Sequence, residues 1–129
     1  MRKINVVCGI IYRGDTILCV QRSKSMVLPD MWEFPGGKIE GTESPEIALE
    51  REIKEELSCR VEVGEFIEKG MYTYDFGEVH LLGYACKLLE GEPTILEHSA
   101  KKWLKKEELS SLNFAPADIP IVNKIQKSK

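Results

Sequence analysis

Apolar and β-branched residues crowd two stretches near the start of the chain, residues 4–12 and 16–21, separated by Arg13-Gly14-Asp15. That pattern predicts two strands joined by a tight turn. Residues 23–30 read as a loop and 31–34 as a short apolar stretch, after which Pro35-Gly36-Gly37 is expected to break regular structure. The period then changes. Ala48, Leu49, Ile53 and Leu57 recur at helical spacing, with Ser44 suited to the N-cap and Pro45 to the first helical position. Residues 61–67, 70–74, 79–88 and 102–104 read as strands, with a turn at Asp75-Phe76-Gly77. A brief helix near 106–109 and a terminal helix near 118–126 complete the pattern. Many strands with two or three helices predict an α/β fold, a mixed sheet sandwiched between helices. Without repeats or linkers, residues 1–129 are expected to form a single domain.

Composition narrows the function. Of 129 residues 43% are apolar, enough for a core without metal or disulfide staples. Eighteen basic against 21 acidic residues give a net charge of −3, which argues against intrinsic disorder and against a nucleic-acid partner. Cys8, Cys19, Cys59 and Cys86 form no C-x-x-C pair and lie among apolar neighbours, as reduced core residues do. The apolar run at 6–12 is too short to span a bilayer, and Arg13-Gly14-Asp15 ends it without a signal-peptide cleavage site. The expected location is the cytoplasm, with no membrane contact and no obligate protein partner.

The informative segment is 36–59. Glu52, Glu55 and Glu56 stand at i, i+3 and i+4, on one helical face. Carboxylates so spaced lie about 5–6 Å apart and repel by about 3 kcal/mol per pair at an effective dielectric of about 20. Arg51 can reach Glu55, and Glu43 can hold Arg51, but one guanidinium does not neutralise three acids. A divalent cation does. Oxygen-only donors select Mg²⁺ or Mn²⁺ over zinc, and Mg²⁺ favours sharing its shell with phosphate. An acidic helix face is ordinarily just solvated. Here Gly36-Gly37 adds a backbone that a metal or phosphate can approach without a Cβ in the way.

Gly37, Glu43, and Arg51-Glu52-Ile53-Lys54-Glu55-Glu56-Leu57-Ser58-Cys59 resemble the Nudix box, G-x5-E-x7-R-E-U-x-E-E-x-G-U, where U is aliphatic. The resemblance implies the Nudix fold and Mg²⁺-dependent hydrolysis of a nucleoside diphosphate linked to X. It also implies that Glu52, Glu55, Glu56 and the Gly36 carbonyl are metal ligands. Ser58 replaces the box glycine and Cys59 the last aliphatic residue. If the helix ends in a left-handed residue, serine there costs roughly 1 kcal/mol.

Val20-Gln21-Arg22 and Trp32-Glu33-Phe34-Pro35-Gly36-Gly37-Lys38 are similar to the MutT-type nucleoside triphosphate pyrophosphohydrolases. By that resemblance Arg22 contacts phosphate and Glu33, Phe34, Pro35 and Gly36 line the nucleotide site. Glu97 matches an acid that assists metal or water activation, and residues 115–120 match the base-reading end. Asp118 stands where enzymes clearing 8-oxo-dGTP carry Asn. An ionised Asp only accepts hydrogen bonds, which suits the cytosine amine or guanine N1–H and N2–H₂. Ala-Pro-Ala-Asp-Ile-Pro is closer to the CTP pyrophosphohydrolase subgroup. The expected reaction therefore releases pyrophosphate from CTP, dCTP or 5-methyl-dCTP, with Arg51 orienting the acids and Glu52 or Glu97 as general base. Sanitation of the nucleotide pool as an 8-oxo-dGTP diphosphatase is the alternative, and a non-catalytic nucleotide-binding module a further one. His80 and His98 receive no role.

Overall fold

A computed structural model describes residues 2–128. Strands β1 (Lys3–Arg13) and β2 (Thr16–Gln21) form the expected hairpin, with Tyr12 opposite Ile17 and Arg13 opposite Thr16. Two short strands, β3 (Trp32–Glu33) and β4 (Gly36–Lys38), precede helix α1 (Pro45–Leu57). Long strands β5 (Arg60–Tyr74) and β6 (Gly77–Glu90) lead to β7 (Ala100–Lys105). Two 3₁₀ turns, Lys106–Ser111 and Pro116–Asp118, then precede helix α2 (Ile119–Lys127).

All seven strands join one mixed sheet. β1 is its spine. One edge runs parallel to β6, from Lys3 opposite Glu78 to Tyr12 opposite Lys87. On its other edge the hairpin forks. β1 and β2 part beyond Ile17, and residues 32–38 fill the gap: β3 pairs with β2 at Val20 and Gln21, and β4 pairs with β1 at Val6–Cys8. Pro35 bridges the two, its carbonyl accepting the Gly9 amide at 2.8 Å.

This corrects the expectation that Pro35-Gly36-Gly37 ends regular structure. Pro35 lies outside the strands, but Gly36 and Gly37 pair with β1. A Cβ on Gly36 would lie 2.0 Å from the Val7 carbonyl oxygen, so only glycine lets β4 come that close. The expected strands at 61–67 and 70–74 are likewise one strand. β5 absorbs register shifts around Phe66, and such bulges interrupt the alternation that reveals a strand in sequence.

Alternation along β1 and β2 explains the layers. Val7, Ile11, Leu18 and Val20 pack against Ala48, Leu49, Ile53 and Leu57 of α1. Cys8, Ile10, Ile17 and Cys19 face the other way, toward Ile121, Val122 and Ile125 of α2. The sheet is thus covered on both faces. All four cysteines are free and buried, as expected. Among the described residues no helix is long and apolar enough to cross a membrane.

Candidate active site

Helix α1 starts as its sequence dictates. The Ser44 hydroxyl accepts the Ile47 amide at 3.2 Å and Pro45 occupies the first turn. Its apolar stripe fixes the rotation of the helix on the sheet, which aims the acidic face at β4. Arg51 organises that face. Its Nε and Nη2 donate to the two Glu43 oxygens at 2.7 and 2.9 Å, a bidentate pair. Nη1 donates to Glu52 at 2.9 Å and reaches Glu55 at 3.4 Å, and Nη2 also donates to the Lys38 carbonyl. Arg51 therefore does hold Glu43 and reach Glu55, and it takes Glu52 as well. The Arg51 hydrogen bonds and the Glu40 amide hold the Glu43 carboxyl below its ordinary pKa. Burial pushes Glu52 upward, with Arg51 acting against it.

Glu52 is 14% exposed and Glu55 60%, so the three acids sharing a helical face do not share an environment. A Cβ on Gly37 would fall 2.2 Å from Glu52 Oε2. The glycine is the cradle in which that carboxylate lies. Glu56 points elsewhere. Burial, chiefly, raises its pKa to about 7, Glu33 and Glu52 add to the rise, and His98 favours its charged form. Its Oε1 is buried with no hydrogen-bond partner among the described residues.

Glu56 lines a cavity of about 470 Å³, in the usual range for small-molecule sites. Arg22, Glu33, Phe34, Gly36 and Asp118 line it too, so the structure brings these predicted residues together. Pro35 is fully buried behind them. Glu52, Glu55 and Arg51 are not in the cavity wall, although Gly37, against which Glu52 lies, is. Glu97 is exposed and does not line the cavity.

Asp118 is buried at the first residues of α2, yet its side chain makes no cap bond. Instead Oδ2 accepts the Phe34 amide at 3.0 Å, tying the 3₁₀ turn to the fork. Tyr74 supports the same turn by accepting the Ala117 amide at 2.9 Å. Burial above all, then Glu33, raises the Asp118 carboxyl well above its ordinary range. This changes the premise on which its base preference rests. A neutral carboxylic acid donates as well as accepts, as Asn does.

Sequence reasoning left His98 without a role, and the structure puts it in the cavity. Its Nε2 meets Glu33 Oε2 at 2.9 Å while Glu33 Oε1 accepts Arg22 Nη1 at 2.8 Å. Cys8, Tyr74 and the loop residues Met26, Val27 and Leu28 also line the cavity unforeseen. Nothing in their spacing distinguishes them from core or loop residues, since the fork and the 3₁₀ turn are what gather them.

Among the described residues, no three acid, His or Cys side chains already converge on one point. Glu52 and Glu55 are turned to Arg51, and Glu56 faces the cavity. The residues nonetheless fit a hard divalent ion. The donors are all oxygen, and the Glu56 Oε1 orphan is the kind of buried atom that a cation satisfies.

The NUDIX domain family matches residues 1–125. A relative from Escherichia coli K12 named CTP pyrophosphohydrolase is 37% identical over 122 residues, 95% of this chain and 90% of its own length. The 8-oxo-dGTP diphosphatase of the same organism is 30% identical over 128 residues, 98% of this chain and 99% of its own. The solution structure of MutT, a Nudix-family DNA mismatch repair protein from methicillin-resistant Staphylococcus aureus 252, superposes with a TM-score of 0.79. It is 51% identical, over 97% of this chain and 96% of that one. Members of this family generally use divalent metal ions and act on small nucleotide substrates.

Proposed function

The chain belongs to the NUDIX family as a MutT-like hydrolase of phosphorus anhydrides, and on that premise we propose that it converts nucleoside triphosphates to monophosphates, with cytidine nucleotides preferred. The observation that carries the reading is the cavity itself. Its lining combines Gly36, Gly37 and Glu56, which adjoin the acidic helix face, with the apolar ring of Phe34 and the carboxyl of Asp118. A polyphosphate and a base need those two surroundings at once.

Glu52, Glu55, Glu56 and the Gly36 carbonyl are the groups that would hold Mg²⁺. When bound, the ion neutralises phosphate charge and favours ionisation of the attacking water. Arg22, with its Nε on the Val27 carbonyl and Nη1 on Glu33, offers its remaining N–H groups to phosphate. Arg51 keeps Glu52 aligned. Glu52 is favoured over Glu97 as general base, because its carboxylate lies against a residue of the cavity wall and Glu97 is exposed. Water adds to phosphorus in line as the bond to the leaving oxygen breaks. The products are a nucleoside monophosphate and pyrophosphate.

With Oδ2 taken by the Phe34 amide, Asp118 Oδ1 is the atom left for the base. Ionised, it accepts the cytosine amine. Neutral, it also donates, which suits 8-oxo-guanine and keeps that substrate as the second reading. Four buried thiols fit a reducing compartment such as the cytoplasm, with residues 1–129 acting as one domain.

Pyrophosphate released from CTP, dCTP, 5-methyl-dCTP, dGTP and 8-oxo-dGTP in Mg²⁺ tests the base assignment. The cytidine nucleotides should lead. Equal rates on all five would sink both base-specific readings.

A further inference from the structure

Arg22, Glu33 and His98 come from three separate segments and meet at one end of the β2–β7 ladder. Arg22 follows the last residue of β2, and Glu33 pairs with Val20 from β3. His98 precedes the Ser99 amide, which donates to the Gln21 carbonyl at 3.0 Å. Each Glu33 oxygen takes one neighbour, Oε1 the Arg22 Nη1 and Oε2 the His98 Nε2. All three residues line the cavity.

The His98 side chain is only 3% exposed, and its Nδ1 is buried without a partner among the described residues. His80 has the same kind of orphan Nδ1, so what sets His98 apart is its Nε2 contact with Glu33 in the cavity. Arg22 is also incompletely used. Its Nε donates to the Val27 carbonyl and Nη1 to Glu33, while Nη2 makes no hydrogen bond among the described residues.

We propose that His98 is a positioning residue for the hydrolysis, occupying one oxygen of Glu33 so that Arg22 keeps a free edge turned to the phosphates of the substrate. The inference rests on the reading that Arg22 binds phosphate. Its physical basis is the geometry of the arginine–carboxylate pair. Freed of His98, both Glu33 oxygens become available to the guanidinium fork, and bidentate pairing is the stronger arrangement. Arg22 would then close on Glu33 and be withdrawn from the substrate. Binding suffers more than chemistry, because Glu52, the proposed base, is held by Arg51 and not by His98.

Two measurements test this together. The first is steady-state hydrolysis of the triphosphate that wild type turns over best. His98→Ala should raise KM about tenfold and change kcat by less than about threefold. His98→Gln should restore KM to within about twofold, since its amide nitrogen stands as many bonds from Cα as Nε2 does. In an Arg22→Ala background, His98→Ala should add less than about a further twofold. The same loss in both backgrounds, or a Gln variant no better than Ala, overturns the proposal. His98→Asn, whose amide ends one bond short, replaces the Ala variant if that chain does not fold.

The second measurement is the Arg22 Nε–Hε NMR resonance of the nucleotide-free protein. It should shift in His98→Ala and return in His98→Gln. An unmoved resonance overturns the link regardless of turnover. Failure of wild type to release pyrophosphate overturns the functional reading instead, and leaves this second readout standing.

Discussion

Glu52 and Glu56 stand one helical turn apart on α1, and burial raises both carboxyls, yet the fold gives them different partners. Glu52 belongs to a largely buried cluster in which Arg51 gathers Glu43, Glu52 and the more exposed Glu55, so its carboxyl has a hydrogen-bonded partner. Glu56 belongs to the cavity, where Glu33 and Asp118 are further acids and its own Oε1 has no hydrogen bond. Its pKa of about 7 follows from that dryness. Like residues on a shared face thus differ in what offsets their burial, Arg51 hydrogen bonds at Glu52 and the His98 charge at Glu56. Pairing and burial decide it, not spacing. The paired side holds geometry, and the dry side holds unsatisfied electrostatic potential that a cation and its phosphate can discharge.

Removing the charge on the paired side should have the largest effect. Glu52→Gln is expected to lower turnover at least about 10²-fold while circular dichroism shows an intact fold. Glu97→Gln should lose much less, and comparable losses would reverse the choice of base. The dry side should reveal itself in stability. Glu56 binds its proton more tightly when folded than in the unfolded chain, so between about pH 4.5 and 7 the folded state holds the extra proton. Stability from this group therefore falls as pH rises through that window. Metal-free wild type should lose about 2 kcal/mol relative to Glu56→Gln between about pH 5 and 7.5 in urea unfolding. A parallel pH dependence in the two proteins would remove the distinction between the two sides. Mg²⁺ at neutral pH should raise the wild-type Tm more than that of the Gln variant.

A smaller perturbation separates position from charge. Gly37→Ala puts a methyl where the Glu52 carboxylate lies, and turnover should fall about tenfold with every acid still present. Smallest is Ser58→Gly. Ser58 ends α1 at φ 51°, ψ 38°, the left-handed conformation expected for the box glycine position, with its amide on the Lys54 carbonyl. Glycine there should gain about 0.5–1 kcal/mol in urea unfolding and leave turnover unchanged. A loss of activity would mean that the end of α1 sets the acids as well as the helix stop.

Legibility in the sequence follows the same division. α1 could be read almost to the residue, because Ser44, Pro45 and the apolar stripe are local signals, and the acids that Arg51 holds lie within one helix and the loop before it. The layered sheet followed from alternation. The filled fork was hidden, since it depends on β1 and β2 separating and on glycines fitting against a strand far from them in sequence. Asp118 was legible as a site residue but not as an acid with a raised pKa, because its environment comes from Glu33, Phe34 and burial. His98 was invisible for the same reason: the partner that gives it meaning is Glu33, on a strand placed by the fork.

The parallel pairing of β1 with β6 has a consequence for how the enzyme comes into being. Every proposed metal ligand lies between Gly36 and Glu56, yet the β4 residues that carry Gly36 are laddered to β1, and β1 gains its long edge only from β6. Contacts so distant along the chain form slowly and late. On the ribosome, the acidic helix emerges before β6, so both its packing and its cradle must wait for that strand. Until that strand docks, the nascent chain is an acidic peptide. The cavity itself is complete only when His98 and Asp118, which follow β6 in the chain, join it.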